Sequence, residues 1–477
     1  MNKIVKNYIY NVLYQIFLIV VPLITAPYLT RILSSSVLGV YDYINSVISV
    51  ITTFGLMGLL SYGYRQIAYF RDNKDDVVVE FSSLFVLRVC LLVLVTVFYL
   101  PFSFNSEYKT YYIIQYALIV AQYLDISWVF IGFEDLRIVS LRNFLAKLIT
   151  VIGIFVFIKD DSDLWVYFAL FSFTTLLTTV SIYPLARKYV KLKKCSLKKV
   201  VSHIKPALKL FIPQVATLMY LQFDKIMLKF ITHSTSQVAY YAYAEKIINI
   251  PLAVITALGT VMMPRLANLY TNKEKNKIAV YLKMTIEFAM FIAIPMAVGL
   301  ATISDGFIPW YLGEEYLASS TAIVVLSPIC VLNALSNILG AQYLTAVNKT
   351  KELTIAYYGA AFVNIILNAI LIPLLGYLGA AIATILCSLA SVAIQLLFVC
   401  KNISFKGIGR QLVKNVAASL TMFVVLSVLK KIFSISAAAT LIEIVIGGAT
   451  YVLVAALLKD EFLLFAYKRI IQKRKCL

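Results

Sequence analysis

The stretch RKYVKLKKCSLKKVVSHIK, residues 187–205, decides how the rest of the chain is read. It is crowded with lysine and arginine, holds no acid, and is the one long basic interval in the sequence. On both sides of it the chain turns into apolar runs that recur to either end. Over 477 residues the sequence is 61% hydrophobic and only 14% charged, against about 45–50% and about 25% in ordinary globular proteins. Mean hydropathy is +0.87. A soluble chain of this composition has no polar skin for its core, so the solvent is a bilayer. The expected fold is an all-α polytopic membrane protein.

A span needs about 20 mainly apolar residues, which places about fourteen transmembrane helices. They are expected near 8–30, 38–62, 79–101, 110–132, 138–158, 164–186, 206–231, 237–263, 280–303, 318–346, 353–373, 377–400, 411–431 and 437–458. The apolar run after Lys3 is too long for a signal peptide, lacks a small-residue cleavage site, and reads as the first span. Pro22, Pro27, Pro213, Pro251, Pro295 and Pro328 fall inside spans, where a missing N–H predicts kinks. With the N-terminus in the cytoplasm and the spans alternating, most of the 43 Lys and Arg fall in cytoplasmic segments. This positive-inside pattern predicts a multi-pass protein of the cytoplasmic (inner) membrane with both termini cytoplasmic. The net charge of +20 is then topological and faces anionic lipid, which argues against nucleic acid.

The basic interval falls between the sixth and seventh spans. The expected organisation is an N-terminal lobe over 1–187, a basic cytoplasmic linker over 188–205, a C-terminal lobe over 206–402, and two further spans with a basic tail over 403–477. A shift of 200 residues pairs Ser34 with Ser234, Ser36 with Ser236, Tyr41 with Tyr241, Tyr43 with Tyr243, Ile48 with Ile248 and Arg65 with Arg265. Spans one to six and seven to twelve then read as parallel repeats, two pseudo-symmetric six-helix lobes with two C-terminal helices appended. Two such bundles enclose a cleft and suit alternating access.

Enzyme chemistry finds little purchase. No glycine precedes a lysine, which excludes a P-loop, and no G-x-S-x-G elbow occurs. Six cysteines without a CxxC pair, with only His203 and His233, give no metal cluster. Neither a catalytic set nor a cofactor is expected. Asp161-Ser162-Asp163 has the D-x-D form that can hold a divalent ion and a sugar phosphate, but a solvated turn is the favoured reading.

Charges inside spans carry more information, because each is costly unless it meets a cavity or a partner. Arg88, Asp125, Asp224, Lys225, Glu245, Lys246, Glu287 and Glu443 lie within spans, and Asp42 opens one. Helical spacing sets Thr217, Tyr220 and Asp224 on one stripe, Tyr241, Glu245 and Asn249 on a second, Tyr41, Asn45 and Ser49 on a third, and Asn7, Asn11 and Tyr14 on a fourth. Aromatic and amide stripes suit sugars; the plainer reading is hydrogen bonding between helices. A phosphate-bearing headgroup needs cations, and Arg88, Arg31, Lys225 and Lys246 are the candidates. Asp42, Asp125, Asp224, Glu245, Tyr41, Asn45, Tyr241, Asn249 and Thr217 are candidates for the cavity lining or for an outer ion-pair gate.

Phe223-Asp224-Lys225-Ile226-Met227-Leu228 resembles the seventh-helix motif of polysaccharide flippases of the Wzx/RfbX type. Asn364-Ile365-Ile366-Leu367-Asn368, Leu371-Ile372-Pro373 and Gly376-Tyr377-Leu378-Gly379-Ala380-Ala381-Ile382-Ala383-Thr384 resemble their eleventh-to-twelfth-helix signature. The resemblance covers essentially the whole chain. It implies the fold of the multidrug/oligosaccharidyl-lipid/polysaccharide exporter superfamily and a substrate of undecaprenyl-pyrophosphate-linked glycan, flipped between leaflets for capsule, O-antigen or similar surface polymers. Membrane lipid and a polysaccharide polymerase are the implied partners. The resemblance supplies no catalytic residues. Two rivals remain: a cation-coupled exporter of small amphiphiles on the same fold, and a membrane-embedded polysaccharide polymerase or glycosyltransferase. The latter needs a large outer loop, and the outer loops here are short.

Overall fold

Apolar runs of span length have one way to satisfy their backbone in hydrocarbon, which is to close every hydrogen bond within a helix. The computed structural model describes Phe17 and residues 20–464 apart from 402, 404 and 406, and its described residues form helices and short connections. The helices are α1 (Val20–Ile32), α2 (Ser35–Leu56), α3 (Leu59–Phe70), α4 (Lys74–Phe104), α5 (Lys109–Leu124), α6 (Ser127–Gly132), α7 (Leu136–Phe157), α8 (Leu164–Ser181), α9 (Tyr183–Ala186) and α10 (Leu197–Ser202). They continue as α11 (Ile204–Thr232), α12 (Thr235–Thr271), α13 (Lys275–Tyr311), α14 (Leu317–Leu326), α15 (Ile329–Ser336), a wide π-turn Asn337–Leu344, α16 (Thr350–Leu375), α17 (Tyr377–Val399), α18 (Ile408–Ile432) and α19 (Ala437–Leu457).

Among the described residues ten helices are long and apolar enough to cross a membrane, or eleven if the bent pair Glu314–Leu326 and Ile329–Leu344 is one span. Helices α11 and α12, 29 and 37 residues long, match the seventh and eighth expected spans. The stripe Asn7, Asn11 and Tyr14 lies outside the described residues. Side chains such as Phe98 and Leu177 stand 70% and 69% exposed, as lipid-facing positions do.

The chain divides into two compact units, Met1–Ile226 and Met227–Leu477, with the division inside α11. In the first, Tyr41, Ile44, Ile48, Tyr112, Ile119 and Phe168 form one core and Phe81, Leu84, Trp128, Val129, Ile182 and Val200 another. In the second, α12, α13, the π-turn and α17 share a core through Leu282, Ile286, Met290, Leu339 and Val392. The two C-terminal helices pack on α13 through Met422, Leu426, Tyr451 and Ile303, and Lys430 meets Asp305 at 2.5 Å.

The 200-residue repeat is visible in the elements. Ser34 and Ser234 both stand in extended backbone immediately before a helix. Tyr41 and Tyr241 are both buried, as are Ile48 and Ile248. Helices α4 and α13 begin at Lys74 and Lys275. In each half the next span is the one that breaks, at 125–126 and at 327–328.

Proline has less effect than its chemistry predicts. Helices α11, α12 and α13 run unbroken through Pro213, Pro251 and Pro295. Of the six prolines expected to kink spans, Pro328 alone stands at a break, where the chain bends by 51°. The breaks at 125–126 and at Met57-Gly58 have no proline. The second needs left-handed backbone at both residues, φ 47° and 77°. At Gly58 a Cβ would stand 2.9 Å from the Ala207 carbonyl oxygen.

Candidate functional site

The break between α5 and α6 gathers the polar chemistry of the first unit. A helix that stops in an apolar setting leaves carbonyls without N–H partners. Here they are met by side chains from three directions. Arg88 of α4 donates from Nε to the Tyr123 carbonyl at 2.8 Å and from Nη2 to the Gln122 carbonyl at 2.5 Å. The Tyr183 hydroxyl donates to the Leu124 carbonyl at 2.6 Å. The Trp128 indole N–H returns to the Asp125 carbonyl at 3.1 Å.

Asp125 starts the helix again. Its Oδ1 accepts from the Ser127 N–H at 3.1 Å and its Oδ2 from the Ser127 hydroxyl at 2.6 Å, the bonding of an Asx-turn that leads into α6. It also pairs with Arg142 of α7 at 2.5 Å, with the two side chains 18% and 14% exposed. Arg88 itself is 1% exposed, and its Nη1 is buried without a hydrogen-bond partner among the described residues. A buried guanidinium with one donor left over is suited to an anionic oxygen, provided the break opens to admit it.

A pocket of about 420 Å³ adjoins the break, walled by Phe81, Phe85, Ile126 and Tyr183 and bordered by Arg187 and Lys191. Beside it, α10 is fastened to α4. His203 stands between the Tyr62 hydroxyl at 3.1 Å and the Ser83 hydroxyl at 2.8 Å, and Lys199 pairs with the buried Glu80. Burial pushes the His203 imidazole below its ordinary value, against the pull of Glu80 3.7 Å away.

The second unit has its own polar seam at the π-turn. The Gln342 amide of the π-turn donates to Asn337 Oδ1 at 2.9 Å. The Gln395 amide of α17 donates to Ser336 at 2.9 Å and Ser391 at 3.1 Å. The Oε1 atoms of both glutamines are buried with no hydrogen-bond partner among the described residues. Wide helical turns of this kind concentrate at functional positions.

Of the residues singled out in the sequence, the structure joins Arg88 and Asp125 at one break. Tyr41 stacks on Tyr167 with ring centres 4.0 Å apart, and Asn45 accepts from Gln115, which in turn accepts from Ser172. Tyr241 shares a 3.0 Å hydrogen bond with Thr384. These three therefore bind helix to helix. Asp42 and Asp224 are buried, Lys225 and Glu245 half-buried, and Arg31, Asn249 and Thr217 exposed. Lys246 is exposed with its ammonium 4.1 Å from the Tyr243 ring centre.

The Asp161-Ser162-Asp163 turn has its carboxylates occupied. Asp160 accepts from the Ser162 N–H and hydroxyl, which holds its carboxyl below the usual range. Asp163 accepts from the Lys159 N–H, and Asp161 from the Ser34 N–H at 2.7 Å. The motif is a turn that fastens the start of α2.

Sequence reasoning passed over Arg142, Tyr183, Gln115, Gln342 and Gln395. The glutamines carried a signal, since an amide inside an apolar run needs a partner. So did Asp125-Ile126-Ser127, a turn-forming Asp within a span. Arg142 and Tyr183 gave none, because nothing local shows which carbonyl or carboxylate a distant helix will present.

Comparison with known proteins agrees with this architecture. Residues 4–270 match the family described as "Polysaccharide biosynthesis protein". A putative O-antigen transporter of Shigella dysenteriae is 25% identical over 370 residues, covering 75% of this chain and 90% of the relative. The fold is similar to that of a lipid II flippase, MurJ, in an inward closed conformation, with TM-score 0.78 at 18% identity over 96% of this chain and 100% of the other. It is also similar to an inward-facing multidrug resistance MATE family transporter of the MOP superfamily, with TM-score 0.61 at 15% identity, over 80% of this chain and 97% of the other. With its broken helices, its two appended C-terminal helices and the match over more than half its length, the chain belongs to the polysaccharide biosynthesis protein family.

Proposed function

We propose that this protein flips an undecaprenyl-pyrophosphate-linked oligosaccharide from the inner to the outer leaflet of the cytoplasmic membrane by alternating access, for assembly of a surface polysaccharide. The observation that carries the reading is the relationship over 370 residues to a putative O-antigen transporter. The likeness of nearly the whole chain to the fold of a lipid II flippase supports it. In this reading the diphosphate is bound by Arg31, Lys225, Lys246 and the spare Nη1 of Arg88 once the α5–α6 break opens. Asp42, Asp224 and Glu245 close the outer side against these cations. The glycan lies along Thr217, Asn249 and neighbouring polar positions, and the lipid tail stays in the bilayer. Both termini and the 188–205 interval lie in the cytoplasm, and the lobes over 1–187 and 206–402 rock about that linker. The protein performs no covalent chemistry of its own and hands its cargo to a polymerase.

Deletion of the gene tests the proposal through the lipid-linked intermediates that remain. Accumulation of a complete oligosaccharide-lipid on the cytoplasmic side is the expected result. An oligosaccharide left incomplete would identify a glycosyltransferase and overturn the reading. For Arg88, the Arg88→Lys chain is expected to reach normal membrane abundance with export reduced at least about tenfold, because a single ammonium nitrogen lacks the planar fork that spans two carbonyls with Nε and Nη2 and still presents Nη1 to a third group. Normal export by that chain would remove Arg88 from the phosphate site.

A further inference from the structure

We propose that the pocket of about 420 Å³ beside the α5–α6 break takes one acyl chain of an anionic phospholipid, with the lipid phosphate held by Arg187 and Lys191. The volume falls within the about 300–1,000 Å³ of small-molecule sites. Its walls are apolar, from Phe81, Phe85, Ile126 and Val190, and its only charged lining residues are these two cations. Both are exposed, and no ion pair among the described residues involves either. A soluble anion would leave the apolar walls wet, and an uncharged chain would leave two cations without a counter-charge. An anionic lipid satisfies both demands at once.

The neighbouring segment supplies the second argument. Leu192, Leu197 and Val201 stand 64%, 77% and 59% exposed, interleaved with Lys193, Lys194 and Lys198. Large apolar side chains among lysines outside a span are the pattern of a segment lying on a bilayer surface, apolar side down and cations at the headgroups. The mouth of the pocket is bordered by the first part of that segment, so it opens at headgroup level. A zwitterionic lipid gains no net attraction there. The site is independent of the transport reading, since nothing in it depends on what is flipped.

Trp128 gives a direct readout. It is 0% exposed, so annular lipid does not touch it, and its ring centre lies 5.6 Å from that of the wall residue Phe81. The full chain carrying Trp165→Phe and Trp310→Phe is placed in phosphatidylcholine vesicles containing chain-brominated phosphatidylglycerol or chain-brominated phosphatidylcholine. Brominated phosphatidylglycerol is expected to quench Trp128 at low mole fraction, and brominated phosphatidylcholine is not. Arg187→Ala with Lys191→Ala is expected to raise the half-quenching mole fraction about thirtyfold. Lys349→Ala with Lys351→Ala removes the same charge at the start of α16, outside the pocket lining and outside this segment, and is expected to leave it unchanged. Equal quenching by the two lipids, or equal effects of the two charge-removing pairs, would overturn the proposal. Displacement by millimolar inorganic phosphate would show a site for phosphate alone and overturn it equally.

Discussion

Arg88 and Asp125 show how an intramembrane charge is held. Arg88 saturates the end of α5, and Asp125 begins α6 and meets Arg142 at 2.5 Å. Removing one member of a mostly buried pair leaves the other without compensation, which costs about 3 kcal/mol. Asp125→Asn is therefore expected to lower the thermal unfolding temperature in detergent. Asp125→Asn combined with Arg142→Gln is expected to recover much of that loss. A double variant no more stable than the sum of its singles would show that the pair is not coupled. The sequence made Asp125 conspicuous as a charge in an apolar run. It could not show Arg142 as the partner, because the two meet only when α7 packs beside the break.

At the scale of elements, the hairpin of α16 and α17 gives the signature residues a physical meaning. Gly376 turns the chain at φ 57° and ψ −133°, a region open essentially to glycine. The Tyr377 N–H that follows is capped by Gln237 at 2.9 Å. At Gly379 a Cβ would stand 2.2 Å from the Leu371 carbonyl oxygen, so the two helices approach as only glycine permits. Asn364 and Asn368 bond to one another in the interior at 3.1 Å. Gly379→Ala has backbone to displace and is expected to destabilise the protein by about 2 kcal/mol or more, read as a fall in membrane abundance and melting temperature. An unchanged melting temperature would contradict the close approach.

The fastening of α10 to α4 carries a pH dependence. The folded state depresses the His203 pKa by burial, so the folded state favours the neutral ring. The associated stability is complete above the unfolded value of about 6.5 and is lost as pH falls toward the depressed folded value. Tryptic cleavage at Lys193 and Lys194 is expected to accelerate below about pH 6 in the native sequence. His203→Gln, which retains hydrogen bonding and cannot titrate in this range, is expected to abolish the acceleration. A similar acid response in that variant would place the titration elsewhere.

For the whole molecule, the basic interval at 187–205 predicts the direction of insertion. In a cysteine-free background, Ser162→Cys is expected to react with an impermeant maleimide in intact cells. Ser196→Cys is expected to react only after permeabilisation. The reverse pattern would invert the topology. The repeat belongs to this scale too: a shift of 200 residues, read from a few serines, tyrosines and an arginine, reappears as matched helix starts and as a break in corresponding spans.

The sequence by itself determined the helical membrane class, the intervals in which the long apolar helices lie, and the 200-residue shift that matches their starts in the two halves. These rest on composition and period, which are local along the chain, because a run of apolar residues in a bilayer must close its own hydrogen bonds wherever it packs. Only the tertiary structure decided which spans break and what holds the breaks. Proline runs through α11, α12 and α13 without interrupting them, while the α5–α6 break occurs where Arg88, Tyr183 and Trp128 arrive to take the freed carbonyls. A helix can afford to stop inside the membrane only if partners from elsewhere in the fold are waiting, and their meeting is a property of packing.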